Sequence, residues 1–173
     1  MTTLISHFYN EEYLLPYWLE PHKRIFDSGV LINYGSTDNS VRVIKDICPN
    51  WFIVDSRNAE FHSYSIDNEV MQIESQVSGW KMTLNTTEFL ITDDLQKILD
   101  KYKETTMLET HGVATVGVFE SPSILNINYG HFGAHQRRRR LHNYKDGSYI
   151  VGRHESNHPS IRENFYTVWY EMF

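Results

Sequence analysis

The sequence predicts a single α/β domain over residues 1–173, with a mostly parallel central sheet flanked by helices. Three observations lead there. Short β-favouring runs alternate with helically spaced apolar residues. A length of 173 residues supports one sizeable core and leaves little for a second. The composition, 40% hydrophobic with 22% charged residues, is that of a globular chain and excludes general disorder.

Residues 3–9 form the first predicted strand, ending at Asn10. Residues 12–26 follow as a helix through Leu14, Leu15, Trp18, Leu19 and Ile25, which Pro16 and Pro21 should make irregular or broken. Residues 29–33 give a second strand. The turn at Gly35, Ser36, Thr37 and Asp38 then caps a helix over 39–47. A third strand is expected at 51–54, a helix at 65–77 and a fourth strand at 79–84. Thr92 is placed to cap a further helix carrying Leu95, Ile98, Leu99 and Tyr102. Later strands are expected at 113–119 and 149–151, and Ile161, Phe165, Val168 and Trp169 suggest an amphipathic helix over 160–172. In such a parallel arrangement the loops at the carboxyl ends of the strands form the ligand crevice. Asn10, Asn33 and Arg57 stand at such ends.

Charge and targeting signals narrow the function. Residues 1–130 carry 9 basic and 18 acidic groups, a net of −9, whereas residues 131–173 carry 7 and 4, a net of +3, within an overall −6. An acidic chain is a poor general nucleic-acid binder, while a local basic segment suits a small anion. Nothing approaches a membrane span, the N-terminus lacks the regions of a signal peptide, and Cys48 is the single cysteine. A cytoplasmic protein is expected, without a nucleic-acid partner.

Three motifs carry the chemistry: FYNEE at 8–12, NYGSTDNS at 33–40 and WKMTLNTTEFL at 80–90. In that order and spacing they resemble GT-A glycosyltransferases of the family 2-like group, which have a Rossmann-like sheet and transfer sugars from nucleotide-diphosphate donors. The resemblance covers the first half well, so residues 1–91 are expected to bind the nucleotide-sugar and 92–173 to form the acceptor and diphosphate side. It implies that Asn10 and Glu11 approach the nucleotide, that Asn33 replaces an Asp contacting the base, and that Asp38 belongs to the family's turn. Arg57 and Asn58 stand where ribose or phosphate is reached. Asp67 has either a donor-side role or that of an acid near a helix N-terminus.

Where such enzymes place Asp-x-Asp to hold Mg²⁺ or Mn²⁺, this chain reads Asn85, Thr86 and Thr87. Neutral groups hold hard cations weakly, which argues against the cation here. The run GHFGAHQRRRR at 130–140 and RHESNH at 153–158 offer guanidinium groups instead, and Arg138 and Arg153 are candidates to stabilise the departing diphosphate. One or two arginines of the tract should serve and the rest be solvated. If a cation is bound, His131 or His154 is its expected late ligand. The resemblance further implies inversion by direct displacement onto an acceptor hydroxyl of a glycan, lipid or protein. Glu88, Asp93, Asp94 and Glu155 are the candidates for the base.

Rival readings are a catalytically degenerate nucleotide-sugar-binding domain and a histidine-based metal hydrolase using His131 with His135 and His154 with His158. A third is an RNA- or partner-binding module around residues 137–140. The short acceptor half suggests a minimal enzyme or part of a larger polypeptide.

Overall fold

The first strand, β1 (Thr2–Phe8), is buried at every position except His7, which is half-buried. Burial on both sides marks a central parallel strand covered by helices on each face. β1 pairs in parallel with β2 (Ser28–Asn33) and β4 (Trp80–Thr83), and β2 pairs in parallel with β3 (Phe52–Asp55). These observations come from a computed structural model that describes residues 1–60, 62–115, 129–132 and 138–170.

The alternation of a strand divides the core between two faces. Leu4 and Phe8 join Leu15, Trp18 and Leu19 of helix α1 (Leu15–Ile25) and Ile44 of α2 (Ser40–Ile47). Ile5 and Ile32 instead meet Val70 of α3 (Ser63–Glu74) on the other face. Trp51 lies so close to Gly29 that a Cβ there would sit 2.2 Å from its ring, so the third βα unit closes only over glycine. α1 is continuous despite its two prolines. Pro16 occupies the first turn, where an N–H has no helical acceptor in any case, and Pro21 removes one interior bond without ending the helix.

The second half continues the same sheet. The strands run β3-β2-β1-β4-β8-β6-β9-β5, with β7 beside β6. They are β5 (Glu88–Ile91), β6 (Met107–Thr115), β7 (Gly130–Phe132), β8 (Arg140–His142) and β9 (Ile161–Trp169). β6 and β9 are parallel, but β4–β8, β6–β8, β6–β7 and β5–β9 are antiparallel, so the sheet is mixed rather than mostly parallel. It curls back on itself: Trp18 Nε1 of α1 donates to Glu88 O at 2.8 Å, and His22 Nε2 accepts from Leu90 N at 3.0 Å.

Several sequence expectations change here. The expected helix over 160–172 is the strand β9; residues 171–172 lie outside the described ones. Ile161, Phe165 and Val168 also fit a helical stripe. β-branched and aromatic residues favour the extended form, and β9 has sheet partners on both sides, β6 and β5. The strand expected at 113–119 begins at Met107 instead, and 116–119 lie outside the described residues. Residues 149–151 form no strand, only a bridge from Tyr149 to Ser156. The helix after Thr92 is the short α4 (Leu95–Leu99), and Asp94 is its cap, accepting from Lys97 N at 3.0 Å. α3 ends at Glu74, short of Val77.

Candidate functional site

Three loops meet at the carboxyl ends of β1, β2 and β4. After β1, Asn10 takes a left-handed φ of 52°, a conformation asparagine tolerates better than most residues. Its Oδ1 accepts from Thr37 N at 2.8 Å and its own N–H donates to Ser36 Oγ at 3.1 Å. The turn after β2 is thereby tied to the first loop, with Gly35 at φ 75°. Asn33 Oδ1 accepts from Ser36 N, and its amide donates to Asp55 Oδ1. Asp38 accepts from the N–H groups of Ser40 and Glu12. Burial opposes ionisation of Asp38, but these hydrogen bonds prevail and hold its carboxyl below the usual value. Asn10, Asn33 and Asp38 therefore build the rim of the site from within.

Between the loops lies a cleft of about 480 Å³ lined by His7, Phe8, Tyr9, Glu11, Tyr34 and Asn85, among others. Glu11 is its carboxylate. Burial raises its pKa, a hydrogen bond from Thr86 Oγ1 at 3.0 Å partly offsets that, and Asp38 adds to the rise. His7 is held neutral: burial, with Arg153 and Arg139 nearby, lowers its pKa to about 3.

The loop between β4 and β5 is turned by Glu88, whose Oε2 accepts from Asn85 N at 2.8 Å. Asn85 Oδ1 accepts from Arg153 at 2.7 Å. The groups standing where a GT-A enzyme would place its cation ligands are thus already engaged, with Thr86 bonded to Glu11. Thr87 faces the other way in function, its carbonyl accepting from Tyr170 N. A neutral amide and two neutral hydroxyls, the amide and the Thr86 hydroxyl already bonded within the protein, are weak ligands for a hard divalent ion. Among the described residues no three His, Cys, Asp or Glu side chains converge as a metal site.

Behind the cleft, and sharing His7 and Asn85 with it, a recess of about 190 Å³ is bounded by two buried ion pairs. Arg139 grips Glu88 with Nε and Nη2, the Nε contact measuring 2.8 Å, and both side chains are almost wholly buried. Arg139 Nη1 lies 2.9 Å from His154 Nδ1. Arg153 pairs with Asp67, which also accepts from Gly152 N at 2.6 Å. Asp67 therefore lies buried within α3, bonded across to the 152–153 loop rather than exposed near the helix N-terminus. Arg153 is left-handed, φ 57°, which a non-glycine residue adopts at a cost met here by its contacts to Asp67 and Asn85.

The arginine tract divides by alternation. Arg139 faces the recess, whereas Arg138 and Arg140 both pair with Glu109 at 3.0 Å, joined there by Arg162 at 2.7 Å. None of these three tract arginines is solvated, contrary to expectation, because two buried carboxylates stand opposite them; Arg137 lies outside the described residues. Arg138 is therefore turned away from the recess.

The other candidates scatter. Arg57 is exposed, and its N–H, like Asn58 Nδ2, bonds Glu69. Asp93 and Asp94 are exposed beyond β5, Glu155 is exposed beside His154, and His131 is exposed on β7. His158 stacks on Tyr144 with centroids 3.9 Å apart, and His135 lies outside the described residues. Sequence reasoning overlooked His7, Glu109 and Trp169, the last a wall of the recess, and chose Arg138 from the arginine tract where Arg139 faces the recess. It also overlooked buried Glu74, which collects Thr83, Gly147 N and Tyr149 and so anchors the loop carrying Gly152 and Arg153 to α3. The signal available for Arg139 was the two-residue alternation of a strand through the tract.

The fold so defined is GT-A-like: a curled mixed sheet with a parallel β3-β2-β1-β4 half and loops gathered at its carboxyl edge. The structure is similar to that of S. aureus TarS 1-349 in complex with UDP-GlcNAc (TM-score 0.51, 16% identity, 69% of this chain and 37% of that one). It is likewise similar to TarS 1-349 in complex with UDP (TM-score 0.51, 17% identity, 73% and 43%). HddC from Yersinia pseudotuberculosis matches over more of both chains, 97% of this one and 92% of that one, with a TM-score of 0.52 and 9% identity. The chain thus spans less than half the length of the TarS structures. No protein-family model matches the sequence, and no curated protein does.

Proposed function

We propose that the chain is a glycosyltransferase of the family 2-like kind that moves a sugar from a nucleotide-diphosphate donor to an acceptor hydroxyl with inversion. The observation that carries this reading is the cleft at the carboxyl ends of β1, β2 and β4, where doubly wound sheets bind nucleotides. The likeness to TarS, solved with UDP-GlcNAc and with UDP, supports the donor class.

In this reading the nucleotide lies against Tyr9, Tyr34 and Glu11, with the rim of Asn10, Asn33 and Asp38 fixing the loops. The sugar points past Asn85 toward the recess. The acceptor oxygen attacks the anomeric carbon, the bond from that carbon to the diphosphate oxygen breaks, and the acceptor's proton passes to a carboxylate. We assign that proton to Glu155. Glu88 and Asp67 are already held by guanidinium groups, and Asp94 caps α4 away from the recess. Glu88, with Arg139, positions the Asn85 loop. No step is routed through Mg²⁺ or Mn²⁺, because Asn85, Thr86 and Thr87 are neutral and the side chains of Asn85 and Thr86 are already bonded within the protein.

Incubation with UDP-, GDP- and dTDP-sugars, followed by chromatography for released nucleoside diphosphate, tests the activity. Release from at least one donor is expected. Tight donor binding with no release under any acceptor would favour a catalytically degenerate binding domain, a reading that the missing carboxylate pair after β4 keeps in play.

A further inference from the structure

The recess behind the cleft has a charge balance that bears on which sugars fit. Its described walls carry two guanidinium groups, Arg139 and Arg153, and two carboxylates, Glu88 and Asp67, each cation paired with one anion. His7, at the junction with the cleft, is neutral at working pH. No guanidinium charge is left over in these walls. What remains is hydrogen-bonding capacity: Arg153 Nε and His7 Nδ1 are buried nitrogens without a hydrogen-bond partner among the described residues. Buried polar atoms of that kind are normally satisfied by water or a ligand. Trp169 adds an aromatic wall, and about 190 Å³ suits a single sugar ring.

We infer that this recess takes the glycosyl group of the donor and selects an uncharged sugar over a uronic acid. The inference rests on the proposed transferase reading and adds the class of sugar. A polyol both donates and accepts, so its hydroxyls can meet a guanidinium N–H, an imidazole nitrogen and the outer lone pairs of Glu88 and Asp67. A uronate carboxylate would enter a charge-balanced recess as a third anion beside Glu88 and Asp67, with both cations already paired. Like charges brought together with no free cation are unfavourable, and the uronate is expected to bind at least about tenfold more weakly. Asp67 and Glu88 thus act as the discriminating groups by neutralising the arginines that would otherwise welcome an acid.

Calorimetric titration of the whole chain with matched donors reads this directly: UDP, UDP-GlcNAc and UDP-glucuronic acid, and GDP, GDP-mannose and GDP-mannuronic acid. The neutral sugar is expected to bind at least about tenfold tighter than its uronate partner in the series the protein accepts. Asp67→Asn, which leaves Arg153 charged and unpaired, should narrow or reverse that ratio. The wild-type comparison stands even if this variant fails to fold. Equal or tighter binding of the uronate by the wild-type protein would overturn the inference while leaving the transferase reading intact. So would sugar donors that bind no better than the bare nucleoside diphosphate. Failure of every nucleotide to bind would sink both.

Discussion

The two halves of this sheet are held together by different means. Around β1, the parallel strands and α1 to α3 bury Leu4, Ile5, Phe8, Trp18 and Ile32 almost completely, so that this half of the core is predominantly apolar. Around β8 and β6 the interior is ionic: Glu88 with Arg139, Glu109 with Arg138, Arg140 and Arg162, and Asp67 of α3 reaching across to Arg153. An apolar core gains from every buried methylene, whereas a buried ion pair gains little net stability but fixes geometry, because either partner alone is strongly unfavourable. The apolar half therefore presents the cleft, and the ionic half positions the groups that bound the recess.

The largest effect that tests this contrast is Arg139→Met, which leaves Glu88 buried without its partner. A loss of about 3–5 kcal/mol is expected in denaturant unfolding. Replacing both partners, Arg139→Met with Glu88→Leu, should recover most of that stability, since what is costly is the unpaired charge. A double variant as unstable as the single one would show that the pair contributes more than its geometry.

Glu155→Gln comes next and concerns chemistry alone. The side chain is exposed, so melting should not move, while kcat should fall by roughly 10²- to 10⁴-fold if Glu155 accepts the proton. Unchanged turnover would return the base to another carboxylate. Within the apolar half, His22→Ala removes an imidazole whose Nδ1 lies 2.7 Å from Trp18 O and whose Nε2 accepts from Leu90 N, at a cost of about 1–3 kcal/mol.

The same histidines predict acid sensitivity. Burial lowers His22 to about 4 and His7 to about 3, from 6.5. Both are neutral when folded, so their stabilising contribution is complete above pH 6.5. It is lost progressively as the pH falls from 6.5 through 4 and 3, where the unfolded chain binds more protons. Denaturation midpoints measured between pH 7 and 4 should decline, and less so in a His22→Gln variant. The smallest effect belongs to the exposed pair of Lys101 and Glu163, where Lys101→Ala should change stability by less than about 1 kcal/mol.

The contrast between the halves also explains what the sequence disclosed. Alternating strand and helix signals in the first 83 residues belong to parallel strands rich in β-favouring residues, with β1, β2 and β4 largely buried, and each of those elements lies close to where periodicity places it. In the second half, the short strands β5 and β8 carry Glu88 and Arg140, whose charges are buried through pairing, so no apolar pattern announces them. β9 bears apolar residues at a spacing that fits a helix equally well, and only its pairing with β5 and β6 decides the matter. The site divides similarly. Glu11, Asn85, Asp67, Glu88, Arg153 and His154 line the cleft or recess; the ordered motifs pointed to Glu11, Asn85 and Glu88, and the His- and Arg-rich composition of residues 130–158 to Arg153 and His154. Strand alternation separates Arg139 from its neighbours, but which face meets the recess, and the place of Trp169 in its wall, depend on non-local pairing.

In the proposed function the cleft binds a nucleotide-diphospho-sugar without a divalent cation. That reading is tested most directly by titrating the protein calorimetrically with UDP-, GDP- and dTDP-sugars, each in Mn²⁺ and in EDTA. Binding of at least one donor with the same affinity in both buffers is the predicted result. Binding of none, or binding that appears only with Mn²⁺, would contradict it.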